Sequence, residues 1–445
     1  MAHLGRIQFV VCAAGLMTAC ATAELPRPDT IPGQPDPVST PTPTPGGEVP
    51  TPTPTPSQPL PAFTSSGDLE FDIWRRDFAQ RAQAAGRDPA VLYHLLEGLS
   101  PMPQAQALSF NDNQAEFVKP IWDYVNSATS ASRVNAGRAK LAENPAMFER
   151  IEAQYGVPRE ILSAIWGMET AYGKVLGSFD APRQLATLGY KGRRTKLGEE
   201  QLIATMKLIE RGIVTREQMA TASWAGAVGQ TQFMPGTFLA YGRDGDGDGR
   251  QDLWNSTSDA LASAGNYLAE SGWKRGEPWA LEVTLPANVD YMLADGEKRP
   301  MAFWRSQGFS ITDGRPAADD LRGELFLPAG SYGPAFLLFD NFYKIRIYNN
   351  ADSYALSIGL LADRLVSRPE LSRPWPTNIQ LPTKDQVMQL QAGLNKLGYD
   401  AGPVDGLAGR QTRAALQQFQ NDRGMTPDGF ATRAMVASVT TAAGG

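Results

Sequence analysis

Three short stretches of this sequence set reactive or ligating side chains at informative spacings. In "ILSAIWGMETAYG", residues 161 to 173, Ile161, Ile165, Met168 and Tyr172 recur at the three-and-four spacing of one helix face, and Glu169 falls on that face. Apolar surroundings disfavour the charged form of a carboxyl group and raise its pKa toward the range where it can donate a proton near neutral pH. A general acid in glycosidic cleavage needs that property. On this segment alone, the carboxylate could instead reach solvent at the helix end or pair with an arginine.

The second stretch is "SWAGAVGQTQFMPGTF", residues 223 to 238, where Ser223, Gln230 and Gln232 punctuate Trp, Gly, Ala, Phe and Met. Amides and hydroxyls bind sugar hydroxyls or N-acetyl groups without titrating, and small residues let a backbone or a ligand approach closely. Tight packing alone would also account for it. The third stretch is "DGDGDGRQDLWN", with Asp244, Asp246 and Asp248 at positions 1, 3 and 5 of a calcium loop, Gly249 at 6 and the Arg250 carbonyl at 7. Position 12 is Asn255 in place of the usual Glu, so Asp259, four residues further on, is the candidate to close a longer loop. Carboxylates this close repel unless a cation neutralises them. Calcium in a structural role is the expected cofactor, with no organic cofactor.

The elements that position these residues are mostly helical. Pro158 suits the first turn of the Glu169 helix and Gly173 its C-terminal cap. Amphipathic stretches run over residues 69–85, 89–98, 116–128 and 145–155. After residue 278 the period changes. Leu281, Val283 and Leu285 alternate with polar residues, and "GELFLPAG" and "PAFLLF" are short apolar runs bounded by Gly and Pro, which predicts a small sheet. The adjoining "NFYKIRIYNN" carries Tyr343 and Tyr348, as core or as groove lining. From residue 384 a separate unit begins, with a helical stripe of Val387, Leu390, Leu394 and Leu397, a Gly/Asp turn region, and a second helix capped by Thr412.

Composition narrows the chemistry further. A 42% apolar content supports large cores, and a net charge of -6 with no extended Lys/Arg run gives no footprint for nucleic acid. Residues 1–20 have the layout of a secretory signal, and "LMTAC" resembles a bacterial lipobox that would lipidate Cys20; ordinary cleavage after Ala21 or Ala23 is the alternative. Without that segment, Cys20 and His94 are the remaining members of their types, which excludes cysteine proteases and Cys/His zinc sites. Acid/base chemistry then falls to carboxylates. Between Glu24 and Pro61 there are 14 prolines, so the segment cannot bury a core and reads as a semi-stiff tether. Its reach is on the order of 100 Å when extended.

"WGMETAYG", "SWAGAVGQTQFMP" and "DGDGDGRQDLWN", in this order and spacing, resemble the membrane-bound lytic murein transglycosylase B family over most of residues 68–370. The resemblance implies a mainly α (α+β) fold: a lysozyme-like helical core with a helical lobe, a small β lobe and a calcium loop. It implies Glu169 as the single catalytic acid/base and Asp244, Asp246, Asp248, Arg250 and Asp259 as the calcium shell. Substrate contacts are expected from Ser223, Gln230, Gln232, Tyr267, Tyr343, Tyr348 and Asn349. The C-terminal stretch "LQAGLNKLGYDAGPVDGLAGRQTRAALQQFQNDRGMTPDG" resembles the peptidoglycan-binding domain of type one, a small three-helix unit.

The implied organisation is a signal over 1–20, a tether over 21–66, a catalytic domain over 67–372, a linker over 373–383 and a peptidoglycan-binding domain over 384–442. The implied reaction cleaves the bond between N-acetylmuramic acid and N-acetylglucosamine in peptidoglycan, leaving 1,6-anhydro ends. A monomer is expected in the periplasm of a Gram-negative bacterium, held to the outer membrane by a lipid anchor. The rivals are a muramidase that hydrolyses the same bond and a non-catalytic lipoprotein that tethers the wall.

Overall fold

The computed structural model describes residues 60–103, 115, 119–191 and 194–444. The expected signal, Cys20 and the tether up to residue 59 lie outside the described residues, as do residues 116–118 of one amphipathic stretch. Among the described residues no helix is long and apolar enough to cross a membrane.

The helix Arg159–Thr170 is buried at every position from Ile161 to Thr170. It is therefore a central core helix rather than one with a single apolar face. It packs against the helices Ala131–Glu143, Pro145–Tyr155, Thr257–Glu270 and Asp352–Leu365. Its contacts include Phe148, Ile151, Leu261, Leu268, Tyr354 and Ile358, which are fully or nearly fully buried. Each such side chain contributes about 1.5–3 kcal/mol on leaving water.

A second core joins the helices Leu69–Ala84, Pro89–Leu96, Ala181–Tyr190 and Thr195–Glu210 through Phe71, Phe78, Leu95, Leu185 and Met206. Leu60 and Phe63, within the expected tether, pack on this lobe: the Phe63 ring stacks on Tyr93 at 5.7 Å, and Arg75 donates to the Thr64 carbonyl at 2.6 Å. Apolar side chains close to the tether's end fold back because a partner surface is within reach.

The predicted sheet is present as five antiparallel strands, β1 (Ala280–Thr284), β2 (Arg299–Pro300), β3 (Ser310–Ile311), β4 (Arg322–Phe326) and β5 (Ala335–Leu338), in the order β2-β4-β5-β1-β3. Register sets its two faces. Ala280, Phe326, Phe336 and Leu338 point into the main core, while Leu281, Val283, Leu325 and Leu337 surround Trp304 in a satellite core. Burial on both faces explains why β4 and β5 read as continuous apolar runs. "NFYKIRIYNN" forms the helix Asp340–Tyr348 after β5.

The C-terminal unit has three helices, Lys384–Lys396, Arg410–Asp422 and Arg433–Ala442, around Leu390, Leu394, Leu416, Phe419 and Val439. Its second helix starts one turn earlier than the sequence suggested. Gly409 is the N-cap, and Thr412 is buried within the first turn, donating to the Ala401 carbonyl at 3.0 Å. In the expected linker, Trp375 packs on the main core and Arg373 donates to the Ser331 carbonyl at 2.8 Å.

Candidate active site

Glu169 sits in the last turn of the central helix and is 6% exposed. The chain ends that helix abruptly. Pro158 is its N-cap, just outside the first turn, and at the other end Ala171 (φ 50°) caps in the left-handed region, followed by Tyr172 (φ 63°) and Gly173 (φ 79°). The expected cap at Gly173 thus falls two residues late. Two consecutive non-glycine residues in this region cost on the order of 1–3 kcal/mol each and persist only where packing holds them. Here the packing is specific. Tyr172 folds back over Gly167 and Gly137, where any added Cβ would meet its hydroxyl within 2.6 Å, and it donates to the Arg133 carbonyl at 2.9 Å. Thr170 fixes the other side, its hydroxyl donating to the Gln230 carbonyl at 2.6 Å and accepting from Gly173 N–H at 3.0 Å.

The partner of the carboxylate was not found from sequence. Tyr354, two residues into the Asp352–Leu365 helix and 1% exposed, donates its hydroxyl to Glu169 Oε1 at 2.5 Å. Burial, and then the nearby Glu169 charge, raises the Tyr354 phenol well above its ordinary pKa, so it remains a donor. The only trace in the sequence was an aromatic residue in an apolar helix, which ordinary core packing explains equally well. Tyr348, at the end of the preceding helix, is also fully buried; burial and the Glu169 charge raise its phenol too, and it donates to the Thr231 carbonyl at 3.2 Å. The Tyr267 ring lies 5.6 Å from Tyr348 and 5.7 Å from Phe233, which completes an aromatic wall beside the Gln loop.

That loop is neither helix nor long strand. Single antiparallel bridges join Phe179 to Ala222, Ala222 to Val228 and Val228 to Phe233. Its small residues serve close approach: a Cβ on Gly229 would lie 2.5 Å from Leu253 Cβ, and in the facing segment one on Gly177 would lie 2.0 Å from the Ala222 carbonyl oxygen. The Ser223 hydroxyl accepts from Ala227 N–H at 3.0 Å, and the Gln230 amide bridges the Trp254 carbonyl (3.1 Å) and the Thr257 hydroxyl (3.2 Å). Gln232 takes a left-handed conformation (φ 51°) and donates to the carbonyls of Leu176 (3.1 Å) and Gly229 (2.9 Å). Both of its amide hydrogens are then used, and its oxygen remains the group suited to accept from a ligand.

Among the remaining expected contacts, Asn349 is buried at the end of the Tyr348 helix. Tyr343 lies elsewhere, at the boundary with the C-terminal domain: the Lys298 ammonium sits 4.5 Å and the Arg410 guanidinium 5.3 Å from its ring centre.

The acidic loop gathers three of its four expected carboxylates. Carboxylate oxygens of Asp244, Asp246 and Asp259 lie within 4.8 Å of one another. Asp259 is 1% exposed, accepts from Gly245 N–H (2.8 Å) and Asp252 N–H (2.7 Å), and is held above the usual carboxylate range by burial. None of the three makes an ion pair among the described residues. This donor set, all hard oxygens around an uncompensated negative charge, fits calcium. The Asp248 carboxylate stands outside it and accepts from Arg250 N–H at 2.8 Å. Asn255 turns away, its amide donating to Asp252 at 2.8 Å.

Residues 70–363 match the family described as Transglycosylase SLT domain, and residues 383–438 the family described as Putative peptidoglycan binding domain. The chain is 31% identical over 206 residues to membrane-bound lytic murein transglycosylase B of Escherichia coli (strain K12), a match covering 46% of this chain and 56% of that relative. It spans a little over half the length of that curated protein. Among solved structures it is similar to SltB3 of Pseudomonas aeruginosa in complex with NAG-anhNAM-pentapeptide, at 40% identity and a TM-score of 0.77, covering 83% of this chain and 99% of that one. The Escherichia coli lytic transglycosylase SLT35 in complex with calcium is 25% identical with a TM-score of 0.57, covering 66% of this chain and 92% of the other.

Proposed function

This chain belongs to the SLT transglycosylase family, and from that premise we propose that it is a peptidoglycan lytic transglycosylase with Glu169 as its single acid and base. The observation that carries this reading is the Glu169 carboxyl itself, buried at the end of the central helix with its Oε1 held by the Tyr354 hydroxyl. In the first step the carboxyl protonates the oxygen between N-acetylmuramic acid and N-acetylglucosamine, and the C1–O bond breaks. The N-acetyl carbonyl of the muramoyl residue supports the positive charge that develops at C1. In the second step the Glu169 carboxylate removes the proton of the muramoyl C6 hydroxyl as that oxygen closes on C1. The product is a 1,6-anhydro end, no water is consumed, and Glu169 is again protonated.

The roles around it follow from hydrogen-bond capacity. Tyr354 donates to the carboxylate formed midway, a charge-assisted bond that contributes about 1.5–3 kcal/mol. The Gln232 oxygen and the Ser223 hydroxyl orient the sugar, Gln230 and Asn349 hold the loop and helix end behind them, Tyr267 lines the approach, and Tyr348 backs the pocket from the core. Asp244, Asp246 and Asp259 would hold a calcium ion, whose contribution is to neutralise their charge and fix the loop against the start of the Thr257–Glu270 helix. Glycan strands with peptide stems resemble what SltB3 is bound to, and they are the substrate class for this chain. The C-terminal domain supplies wall affinity. A periplasmic location with a lipid anchor on Cys20, and a monomeric state, complete the proposal.

Chromatography of the muropeptides released from purified sacculi tests the reading. Wild type is expected to give anhydro-muramoyl products and Glu169→Gln essentially none. Reducing muramoyl ends from wild type would mean hydrolysis, and wall binding without any release would mean a tethering protein.

A further inference from the structure

The C-terminal domain meets the catalytic lobe through charged side chains rather than a loose contact. Arg410, the first residue of its second helix, donates from Nη1 to Glu324 Oε1 at 2.8 Å and from Nη2 to Tyr343 Oη at 3.1 Å. The same Nη2 lies 3.8 Å from Asp352 Oδ1. Glu324 is on the core-facing side of β4 and is 4% exposed, so this arginine serves as cation for a carboxylate that the catalytic lobe has buried. Around it, Asp428 accepts from the Ser331 hydroxyl at 2.8 Å and Gln417 donates to the Tyr291 carbonyl at 2.7 Å.

The partners of Arg410 lead to the acid/base. Asp352 is the first residue of the helix that brings Tyr354 to Glu169, and its carboxylate also lies 3.3 Å from Arg346 Nε. Arg346 and Tyr343 belong to the helix that ends in Tyr348. At the turn between these two helices, one carboxylate therefore lies at ion-pair distance from an arginine of its own lobe and an arginine of the C-terminal domain, without a hydrogen bond from either to its Oδ1. We propose that Arg410 is a positioning residue for catalysis: through Tyr343 and Asp352 it fixes the two helices from which Tyr348 and Tyr354 reach the Glu169 pocket. The C-terminal domain is then a working part of the catalytic centre in addition to a module for wall affinity.

This inference rests on the reading of Glu169 given above, and the test separates the two. Full-length wild type, Arg410→Ala, Arg410→Lys and Gln417→Ala are assayed on a short, soluble, stem-bearing glycan, which needs no anchoring to a wall. Anhydro ends from wild type secure the reaction; their absence would defeat that reading rather than the role of Arg410. Arg410→Ala is expected to lose on the order of tenfold in kcat with KM within about twofold, as a displaced catalytic geometry does. Arg410→Lys keeps the charge but not the two-pronged grip, and should recover part of the loss. Gln417→Ala, which breaks a domain contact remote from Asp352, should retain wild-type kcat. An unchanged kcat in Arg410→Ala, a rise in KM alone, or an equal loss in Gln417→Ala would each overturn the proposal. If Arg410→Ala does not unfold cooperatively, Arg410→Lys decides: about threefold lower kcat supports the role and an unchanged kcat overturns it.

Discussion

The Glu169 pocket and the aspartate loop both concentrate negative charge, and they handle it in opposite ways. In the pocket, one carboxylate sits in a dry core and is held by a phenol that burial keeps protonated. In the loop, three carboxylates crowd within 4.8 Å, two of them exposed, and backbone N–H groups of Gly245, Gly247, Gly249 and Asp252 point at them. Proton transfer needs a group that can exist in either protonation state, which burial beside a phenol donor provides. Metal binding needs charge that stays put until a cation arrives, which several hard oxygens on a pre-formed loop provide. Residue type alone does not separate these tasks. Depth and neighbours do.

The largest effect that this contrast predicts is for Glu169→Gln: a loss of roughly 10³-fold or more in kcat, because one group performs both proton transfers. Its stability should move the other way. A neutral amide in place of a buried carboxyl removes a desolvation cost, so the midpoint in a urea titration should hold or rise. A sharp drop in that midpoint would mean that the carboxylate is structural. Next in size is Tyr354→Phe, which removes one hydroxyl and no packing; kcat on a soluble glycan should fall by about 10- to 100-fold, with far-UV circular dichroism unchanged. The aspartate loop should show the reverse pattern. Chelating calcium should lower the melting temperature by roughly 5 °C or more while leaving kcat of the folded protein at low temperature within about twofold. Equal losses of activity and stability on chelation would erase the distinction between the two regions.

How much of this was legible in the sequence follows the same division. Local periodicity and spacing revealed the Glu169 helix, the acidic loop, the three longer strands and the first two C-terminal helices, since each is encoded within a dozen residues; the third C-terminal helix was implied by the family resemblance. Tyr354 was invisible because it meets Glu169 across 185 positions of chain, and nothing local marks a buried tyrosine as a donor. The helix end was misplaced for a related reason: Gly173 is the natural left-handed residue, yet contacts of Tyr172 with Gly137 and Gly167 shift the break to Ala171. Small residues in the Gln loop left backbone and ligand approach both open, and Gly229 is the one that admits Leu253 closely. Phe63 and Trp375, in the proline-rich surroundings of the expected tether and linker, found apolar surfaces that composition cannot foresee.

The smallest predicted effect separates the three gathered aspartates from the fourth. A continuous loop pattern makes Asp248 the equal of Asp246, since both sit at odd positions of one motif. In the folded loop they differ. The Asp246 carboxylate belongs to the group around Asp259 and accepts from the Ser256 hydroxyl at 2.8 Å, which ties the loop to the N-cap of the next helix. The Asp248 carboxylate is exposed and turns back to Arg250 N–H. A ligand that coordinates directly contributes far more to calcium affinity than an exposed charge nearby, whose attraction is screened within about 10 Å at 0.1 M salt. Asp246→Asn should therefore weaken calcium binding by on the order of tenfold in calorimetric titration, and Asp248→Asn by no more than about twofold, with that small loss vanishing at high salt. Equal losses in the two variants would mean that calcium draws Asp248 inward on binding, and the loop would then be a site completed by its ion rather than one built ahead of it.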